Sequence, residues 1–489
     1  MAPSLGDRLA GAIWGHLIGD AVGVAYEFGP SVAPADVRFG ATGSHGQPPG
    51  TWSDDGALML ALLDSLLENG FDTTDQARRA LAWYRDGAYT PDGDGRFDVG
   101  RATARALERF ARGAAAEEAG ADDEALGNGS LMRILPLPLA ERETPDRDLV
   151  DHAHRVSKVT HGARQPEVAC ALYALIARRL LVGHAGRSDL LADSRAVLRS
   201  LYRSDASDGV YLTALDELEG WTDRSGRGHV IDSFWSAWDA FAGADSYAEA
   251  IRRAVGYGND TDTTAAICGG LAGIHWGYDG IPAEWLAGMR GREIARPLVA
   301  WLLASAGYRT DDIRVEWVSL GGVPALRSAT GRLGMTFLPG KRYPGRGGDH
   351  WRELEADAGL LRGEHGIDTL LLLVEDRELD AAQVVGIADV MAAHGIELLR
   401  HPIVDFGVPS DPEELRVALR GLMESISTGR RVAVACMGGL GRTGTVVACL
   451  LLDAGLDAAA AIDLTRTTRP GAIETDAQLD FVRDWSAGQ

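Results

Sequence analysis

The chain has 489 residues, a length typical of two to four domains at about 150 residues each. Its 48 basic and 70 acidic residues give a formal net charge of −22, which argues against nucleic acid or an anionic membrane as the main partner. A hydrophobic content of 46% and a charged content of 24% are ordinary for folded proteins, so intrinsic disorder is excluded as the class.

Apolar residues with helical spacing dominate residues 5–307. A clear example starts at Leu58 and ends at Asn69-Gly70, a helix C-terminal signal. Few windows alternate between apolar and polar residues as strands do, so we predict an all-α domain over residues 1–309. Further helices are predicted at 102–110, 168–181, 190–201, 232–241, 247–255 and 263–275.

The pattern changes near residue 310, where short apolar runs begin to alternate with helical stretches. This alternation predicts a parallel or mixed sheet, and therefore an α/β domain over residues 310–489. Residues 328–349 are rich in Gly, Arg and Pro and are predicted to form a loop. The predicted strands are 315–318, 369–374, 397–399 and 432–435.

The N-terminal stretch and the cysteines bear on the compartment. The apolar residues 1–19 are interrupted by Asp7, Arg8 and His16 and lack the basic start of a signal peptide. We expect no membrane span, because no window approaches the run of about 20 apolar residues that a span needs. The four cysteines lie far apart with no CxxC pair, so we expect a reducing, cytoplasmic compartment.

Two acidic clusters precede predicted helices, Ser-Asp-Asp-Gly at 53–56 and Asn-Asp-Thr-Asp-Thr at 259–263. Either cluster alone is also typical of a capped helix, because Asp, Ser and Thr are common N-caps. Together the four carboxylates and their hydroxyl neighbours offer hard oxygen ligands that suit Mg²⁺ or Mn²⁺. Packed together without a cation, such carboxylates would repel one another and become protonated.

The order of these motifs resembles the ADP-ribosylglycohydrolase family, the relatives of dinitrogenase-reductase-activating glycohydrolase. The resemblance covers about residues 5–305 and implies an all-α fold with two Mg²⁺ or Mn²⁺ ions at the bottom of an ADP-ribose cleft. It rests on GAIWG at 11–15, GDAVG at 19–23, SDD at 53–55, GNGSLMR at 127–133, THG at 160–162 and NDTDT at 259–263.

This resemblance implies roles for individual residues. Glu27 matches a position that some relatives use as an acid or metal-switching residue. His161 would line the cleft, although a histidine there is equally typical of a helix cap or a core. Ions would be bound by Ser53, Asp54, Asp55, Asp260, Asp262 and Thr263, and the ADP-ribose phosphates would lie near Gly127, Asn128, Gly129 and Ser130.

The implied reaction is hydrolysis at the anomeric carbon of the distal ribose, in an ADP-ribosylated protein or an ADP-ribose derivative. Gly56 departs from the family, which usually has Thr or Ser after the Asp-Asp pair. The missing hydroxyl would lower metal affinity or leave room for a water. It also supports an alternative, in which the domain binds ADP-ribose as a reader without cleaving it.

A second motif, VACMGGLGRTG at 434–444, leads from a predicted strand into an apolar helix. Its glycines let backbone N–H groups point at an anion, the helix N-terminus adds a favourable field, and Arg442 can bind phosphate bidentately. The same field favours the thiolate of Cys436, whereas a buried cysteine before a glycine turn is the alternative. The cradle is formed by Met437, Gly438, Gly439, Leu440 and Gly441.

The Cys–x5–Arg–Thr pattern, with Asp405 upstream, resembles the dual-specificity and tyrosine phosphatase superfamily, and within it kinase-associated phosphatase, over about residues 312–487. By resemblance Cys436 is the nucleophile that forms a phosphocysteine, and Asp405 is the acid and then the base. Thr443 would assist the leaving thiolate and Gln478 would position water. No cofactor is expected, and the substrate would be a phosphoprotein or a small phosphomonoester. Ala435 replaces the usual His.

The two halves together predict a bifunctional hydrolase, with one activity on ADP-ribosyl conjugates and another on phosphomonoesters.

Overall fold

A computed structural model describes residues 2–43, 45–91, 96–183, 186–204, 209–345 and 348–487. The chain forms two compact units, Met1–Ala306 and Gly307–Gln489. The N-terminal unit is helical and the C-terminal unit combines helices with a sheet, which confirms the predicted fold classes.

The N-terminal unit contains the predicted helices. Within its described residues, β-pairing is limited to an isolated bridge between Gly127 and His229. The α-helices are α1 Leu5–Gly23, α2 Asp54–Asn69, α3 Thr73–Asp86, α4 Arg101–Ala111, α5 Ala116–Ala119, α6 Pro136–Ala140, α7 Asp146–Lys158, α8 Arg164–Leu181, α9 Arg187–Arg203, α10 Val210–Gly220, α11 Val230–Ala242, α12 Tyr247–Gly256, α13 Thr261–Trp276, α14 Ala283–Gly288 and α15 Arg292–Ser305.

Helices α1 and α13 pack antiparallel with their backbones in direct contact. Glycines recur every four residues along α1, at 11, 15, 19 and 23, and so lie on one face of the helix. A Cβ at Gly15 would lie 2.5 Å from the carbonyl oxygen of Gly269, and one at Gly19 would overlap the carbonyl of Ala265. This seam of glycines therefore brings the C-terminal end of α1 against the N-terminal end of α13.

The segment Leu5–Tyr26 is long and apolar enough to cross a membrane by length and composition, so the prediction that no window reaches this threshold is wrong. However, 89% of its most apolar window is buried inside the unit. His16 and Asp20, on the same helix, are also buried. A core helix passes the same composition test, and its packing against α13 gives α1 that role.

The C-terminal unit is built on a five-stranded sheet in the order β1-β2-β5-β3-β4. The pair β1–β2 is antiparallel and the other pairs are parallel. The elements are β1 Glu316–Trp317, β2 Arg332–Phe337, α16 Leu354–Gly363, β3 Thr369–Leu372, α17 Asp376–Ala381, α18 Ile387–Ala393, β4 Glu397–Arg400, α19 Pro412–Ser427, β5 Arg431–Cys436, α20 Gly441–Asp453, α21 Ala458–Thr468 and α22 Asp476–Ala487. Cys436 thus ends the central strand, where α/β folds usually bind ligands.

The predicted loop over 328–349 is wrong at β2, whose last five residues are buried. Gly334 weakened the strand signal, since glycine is depleted in strands. Its lack of a side chain is required here, because a Cβ would overlap Val315 and approach Trp317 to 3.3 Å. Packing against the neighbouring segment therefore determines that these residues form a strand, and the local sequence pattern does not show that packing.

We predict that Gly19→Ala destabilises the N-terminal unit by about 3 kcal/mol or more, because the new methyl group meets backbone that cannot move aside. The matched control is Gly421→Ala in the interior of α19, where a Cβ meets nothing within 4 Å. That change should stabilise the C-terminal unit by about 0.5–1 kcal/mol. Denaturant unfolding of the full chain measures both effects. Wild-type stability in Gly19→Ala would contradict the backbone contact.

Candidate functional site

Asp20 joins α1 to the start of α2. It is fully buried, and its carboxylate accepts hydrogen bonds from the backbone N–H of Ser53, at 2.9 and 3.0 Å, and from that of Gly56, at 2.8 Å. These N–H groups lie at the N-cap and in the first turn of α2, where backbone N–H groups have no carbonyl partner within the helix. Burial raises the pKa of Asp20 to about 7. Asp20 lies in the GDAVG motif, but the sequence alone gave it no role.

Gly56 has a packing explanation. A Cβ at this position would lie 2.7 Å from Cγ of Trp52 and 2.8 Å from Cδ2 of Leu17. A side chain here would point into packed apolar groups. The missing hydroxyl is therefore explained by packing, and Gly56 no longer favours the reader alternative.

The two acidic clusters meet at the starts of α2 and α13. The hydroxyl of Thr263 donates to Oδ2 of Asp55 at 3.3 Å and so joins them. Asp54, Asp55 and Asp262 are buried, and each has one carboxylate oxygen with no hydrogen-bond partner among the described residues. Burial, and then the repulsion of neighbouring carboxylates, raises the pKa of these three groups well above the ordinary value.

These unpartnered oxygens are the test of whether a cation fits. Buried polar atoms are nearly always hydrogen-bonded, and buried carboxylates are costly unless they are protonated or paired with a positive charge. The ligand atoms of Glu27, Asp260 and Asp262 lie within 4.8 Å of one another. A divalent cation with oxygen ligands therefore fits this set of residues.

Glu27 also belongs to a second group, with His45 and Asp98, whose ligand atoms likewise lie within 4.8 Å. Its Oε2 is 2.5 Å from Nε2 of His45. Burial and the charges of Asp98 and Asp260 raise the pKa of Glu27 to about 9. Sequence reasoning missed His45 and Asp98, because both lie on loops outside any motif. Asp98 has a φ of 54°, uncommon for a residue other than glycine, but only the structure shows this signal.

A cavity of about 510 Å³ opens above this cluster, a size usual for small-molecule sites. Asn128 lies on its wall and donates through Nδ2 to Oδ2 of Asp260 at 2.8 Å and to Ser233 at 2.9 Å. Arg227 is the one basic residue among its described lining residues. The sequence-predicted residues on the lining are Glu27, Asp54, Gly127, Asn128, Gly129, Asp260 and Thr263.

Ser130 and His161 lie behind this wall and do not line the cavity. Both are buried, and the Ser130 hydroxyl accepts a hydrogen bond from Ser157 at 2.8 Å. A Cβ at Gly129 would lie 2.7 Å from Cε1 of His161, so the ring packs directly under the loop. Burial lowers the pKa of His161 to about 3, which keeps it neutral. These two residues support the loop from within.

In the C-terminal unit Cys436 is buried at the end of β5, and its Sγ accepts the backbone N–H of Gly439 at 3.2 Å. Gly439 has a φ of 69°, and a Cβ there would overlap the carbonyl of Thr336. Glycine is therefore required at the tightest point of the loop. The hydroxyl of Thr443 is buried with no partner among the described residues.

Arg442 lies at the start of α20 and is almost completely buried. Glu378 binds it bidentately at 2.6 and 2.8 Å, and Asp405 lies 2.9 Å from its Nη2. The structure thus brings the predicted acid, Asp405, against the predicted phosphate ligand. Sequence reasoning missed Glu378, which is 64 residues from Arg442 and belongs to no local motif.

Gln478 ties two loops together near this site. Its Oε1 accepts the backbone N–H of Glu474 at 2.9 Å, and its Nε2 donates to the carbonyl of Gly407 at 3.1 Å. Glu474 in turn accepts the N–H of Gly441 at 2.9 Å. Gln478 therefore links the loop that carries Asp405 to the segment beside the phosphate cradle.

Both domains belong to hydrolase families. By class, the chain is therefore a two-domain hydrolase. The family model of ADP-ribosylglycohydrolase matches residues 1–312. The chain therefore belongs to the ADP-ribosylglycohydrolase family. Residues 352–482 match the model "Swiss Army Knife protein, DSP-PTPase phosphatase domain", and both predicted resemblances are confirmed.

Relatives match each unit. ADP-ribosylarginine hydrolase Tri1 of Pseudomonas putida (strain GB-1) is 30% identical over 57% of this chain and 73% of that protein. Cyclin-dependent kinase inhibitor 3 of Rattus norvegicus is 30% identical over 35% of this chain and 78% of that protein. A solved "ADP-ribosylglycohydrolase-related protein complex" is 34% identical, with a TM-score of 0.52, over 62% of this chain and 99% of the solved one.

The crowded carboxylates predict a pH-dependent stability. In EDTA the melting temperature of the N-terminal unit should fall as the pH rises from about 5 to about 9. The pKa values of Asp20 and Glu27 are raised to about 7 and about 9, so the folded state holds protons that the unfolded state has already released above about pH 4. The stabilisation that comes from these bound protons is complete below about pH 4. It is lost as the pH rises through the folded-state pKa values of about 7 and about 9.

Saturating Mg²⁺ or Mn²⁺ should remove most of this fall, because a cation that binds only the folded state stabilises it. Calorimetry of the full chain with EDTA and with metal measures both curves. Asp262→Asn, which removes one crowded charge, should flatten the EDTA curve and weaken the metal effect. A melting temperature that neither pH nor metal changes would contradict the carboxylate cluster as described.

Proposed function

We propose that the N-terminal unit hydrolyses ADP-ribosyl conjugates with two Mg²⁺ or Mn²⁺ ions, and that the C-terminal unit hydrolyses phosphomonoesters through a phosphocysteine. The observation that carries the first proposal is the set of buried, unpartnered carboxylate oxygens on Asp54, Asp55 and Asp262, of which Asp54 lines the cavity. For the second it is Cys436, with a backbone N–H aimed at its sulfur and Arg442 paired with Asp405.

In the N-terminal unit the cations would be held by Ser53, Asp54, Asp55, Asp260, Asp262 and Thr263. Bound there, they would supply Lewis-acid polarisation of the ribose hydroxyls and of a water. Asn128 keeps the Asp260 carboxylate oriented through its 2.8 Å hydrogen bond. Glu27 and Asp98 line the cavity. Beside bound cations these carboxyl groups would favour the ionised form, whose negative charge would then stabilise the oxocarbenium character of the distal ribose in the transition state.

We propose an arginine-linked conjugate as the substrate. One relative is named an ADP-ribosylarginine hydrolase. Outside the proposed metal ligands, the carboxyl groups of Glu27 and Asp98 line the cavity, and in ionised form they would complement the positive charge of a guanidinium group. Arg227 is exposed on the cavity lining, and its positive charge would complement the diphosphate of ADP-ribose.

In the C-terminal unit Sγ of Cys436 attacks the phosphorus, and the bond to the ester oxygen breaks. Asp405 gives its proton to that oxygen, and Arg442, fixed by Glu378, binds the phosphoryl oxygens. Water then attacks the phosphocysteine and loses its proton to Asp405, which releases phosphate and the thiolate. The Thr443 hydroxyl is free among the described residues to donate to the departing sulfur.

We predict Mg²⁺- or Mn²⁺-dependent release of ADP-ribose from an arginine-linked peptide, with a serine-linked peptide released far more slowly. Asp262→Asn should lower the rate by more than about a hundredfold, because an unpaired ligand oxygen is lost. Cys436→Ser, in the other unit, is the control and should leave release unchanged. Tight ADP-ribose binding with no release from either peptide would contradict the hydrolase proposal and support the reader alternative.

We predict that Cys436→Ser abolishes phosphomonoester hydrolysis and that Asp405→Asn lowers kcat by about 10²–10⁴-fold, since general acid catalysis contributes that much. The loss in Asp405→Asn should be larger for an alkyl phosphate than for p-nitrophenyl phosphate, whose leaving group needs no proton. Steady-state kinetics with both esters measures this difference. Equal losses for the two esters would contradict the role of Asp405.

A further inference from the structure

Two basic side chains, those of Lys341 and Arg469, bind backbone carbonyls of the phosphate cradle. Nζ of Lys341 donates to the carbonyl oxygen of Met437 at 3.0 Å, and Nη2 of Arg469 donates to the carbonyl oxygen of Gly438 at 2.9 Å. Among the hydrogen bonds of the described residues, neither Lys341 nor Arg469 donates to the sulfur, and neither residue belongs to the Cys–x5–Arg motif. They hold two successive carbonyls, in the part of the loop that must present its N–H groups to an anion.

A trans peptide unit points its C=O and its N–H in opposite directions. The carbonyl of Gly438 and the N–H of Gly439 belong to one such unit. Arg469 holds this carbonyl, and on the other side the N–H donates to Sγ of Cys436 at 3.2 Å. Lys341 holds the carbonyl of Met437, and thus directs the N–H of Gly438 away from itself by the same geometry.

The cradle needs such restraint at Gly438, where the surrounding packing is open. A Cβ at Gly438 would meet nothing within 4 Å, so packing does not fix this residue. Glycine explores more backbone conformations than any other residue, and a flipped peptide would turn a carbonyl towards the thiolate and the phosphate. An anchored carbonyl prevents that flip.

The two anchors are themselves held. Lys341 follows β2, is 6% exposed, and lies with its Nζ 4.6 Å from the centre of the Phe337 ring. Arg469 follows α21 and forms an ion pair with Glu316 of β1. Burial lowers the pKa of Lys341 to about 8, while the nearby Cys436 acts in the opposite direction. Both basic side chains are therefore held by residues of the sheet, Phe337 of β2 and Glu316 of β1.

We propose that Lys341 and Arg469 are positioning residues that lock the peptide planes of the phosphate cradle, with their N–H groups towards Cys436 and the substrate phosphate. The proposal rests on the proposed phosphatase function of this site. The described charged groups that face the cradle from the surrounding elements are Lys341, Glu378, Asp405, Arg442, Arg469 and Glu474.

The test uses the full chain with Arg469→Met and Lys341→Met. The first readout is the pH midpoint for alkylation of Cys436 by iodoacetamide, with mass spectrometry to identify the modified cysteine. Arg469→Met should raise this midpoint by about one pH unit, because the N–H that stabilises the thiolate is no longer held towards it. Lys341→Met should weaken the protection that inorganic phosphate gives against alkylation by about tenfold.

Steady-state kinetics is the second readout, and each variant should lose about ten- to a hundredfold in kcat/KM. The matched control is Arg466→Met, since Arg466 binds the carbonyls of Ala472 and Ile473 in a neighbouring turn. This control should leave the alkylation midpoint unchanged even if it lowers stability. Lys341→Arg should restore most of the phosphate protection, because it restores the donor.

Unchanged midpoint and phosphate protection in the two Met variants, or the same midpoint shift in Arg466→Met, would overturn the proposal. Alkylation needs no turnover, so it tests the positioning role separately from the phosphatase activity. A wild-type chain that hydrolyses no phosphomonoester would overturn the proposed function, while the alkylation midpoints would still decide whether the cradle is locked.

Discussion

Direct contact between the backbones of α1 and α13 is the constraint on which the N-terminal cavity depends. Because glycines line the seam, no side chain separates the C-terminal end of α1 from the start of α13. Asp20 then stands close enough to bind the first turn of α2. The starts of α2 and α13 consequently meet, and their carboxylates share one small volume that a divalent cation fits.

The two candidate sites use helix starts in opposite ways. At α2 and α13 the first turns carry carboxylates, whose crowding raises their pKa values and favours a cation. At α20 the first turn carries Arg442 and follows a glycine loop whose backbone N–H groups can point at a ligand, which favours an anion. The glycines also differ in purpose, since they permit close helix packing in one unit and a tight loop around Cys436 in the other.

Much of the fold and of the two candidate sites could be predicted from the sequence, because the helical spacing and the motifs are local patterns. Helical spacing gave the all-α unit, and the Cys436–Arg442 motif indicated the cradle. What sequence reasoning missed comes from distant segments: Glu378 binds Arg442 from 64 residues away, and His45 and Asp98 lie beside Glu27 on separate loops. Strand β2 and the position of His161 behind its loop depend likewise on packing against neighbours, which no local pattern reports.

The central claim is that the carboxylates gathered by the α1–α13 seam hold divalent cations. The most direct measurement is Mn²⁺ binding to the full chain, followed by electron paramagnetic resonance during a titration. We expect about two Mn²⁺ per wild-type chain, a weakened or lost site in Asp262→Asn, and wild-type binding in the control Asp245→Asn, whose side chain is on the surface. No bound Mn²⁺ in the wild-type chain, or full binding in Asp262→Asn, would contradict the account.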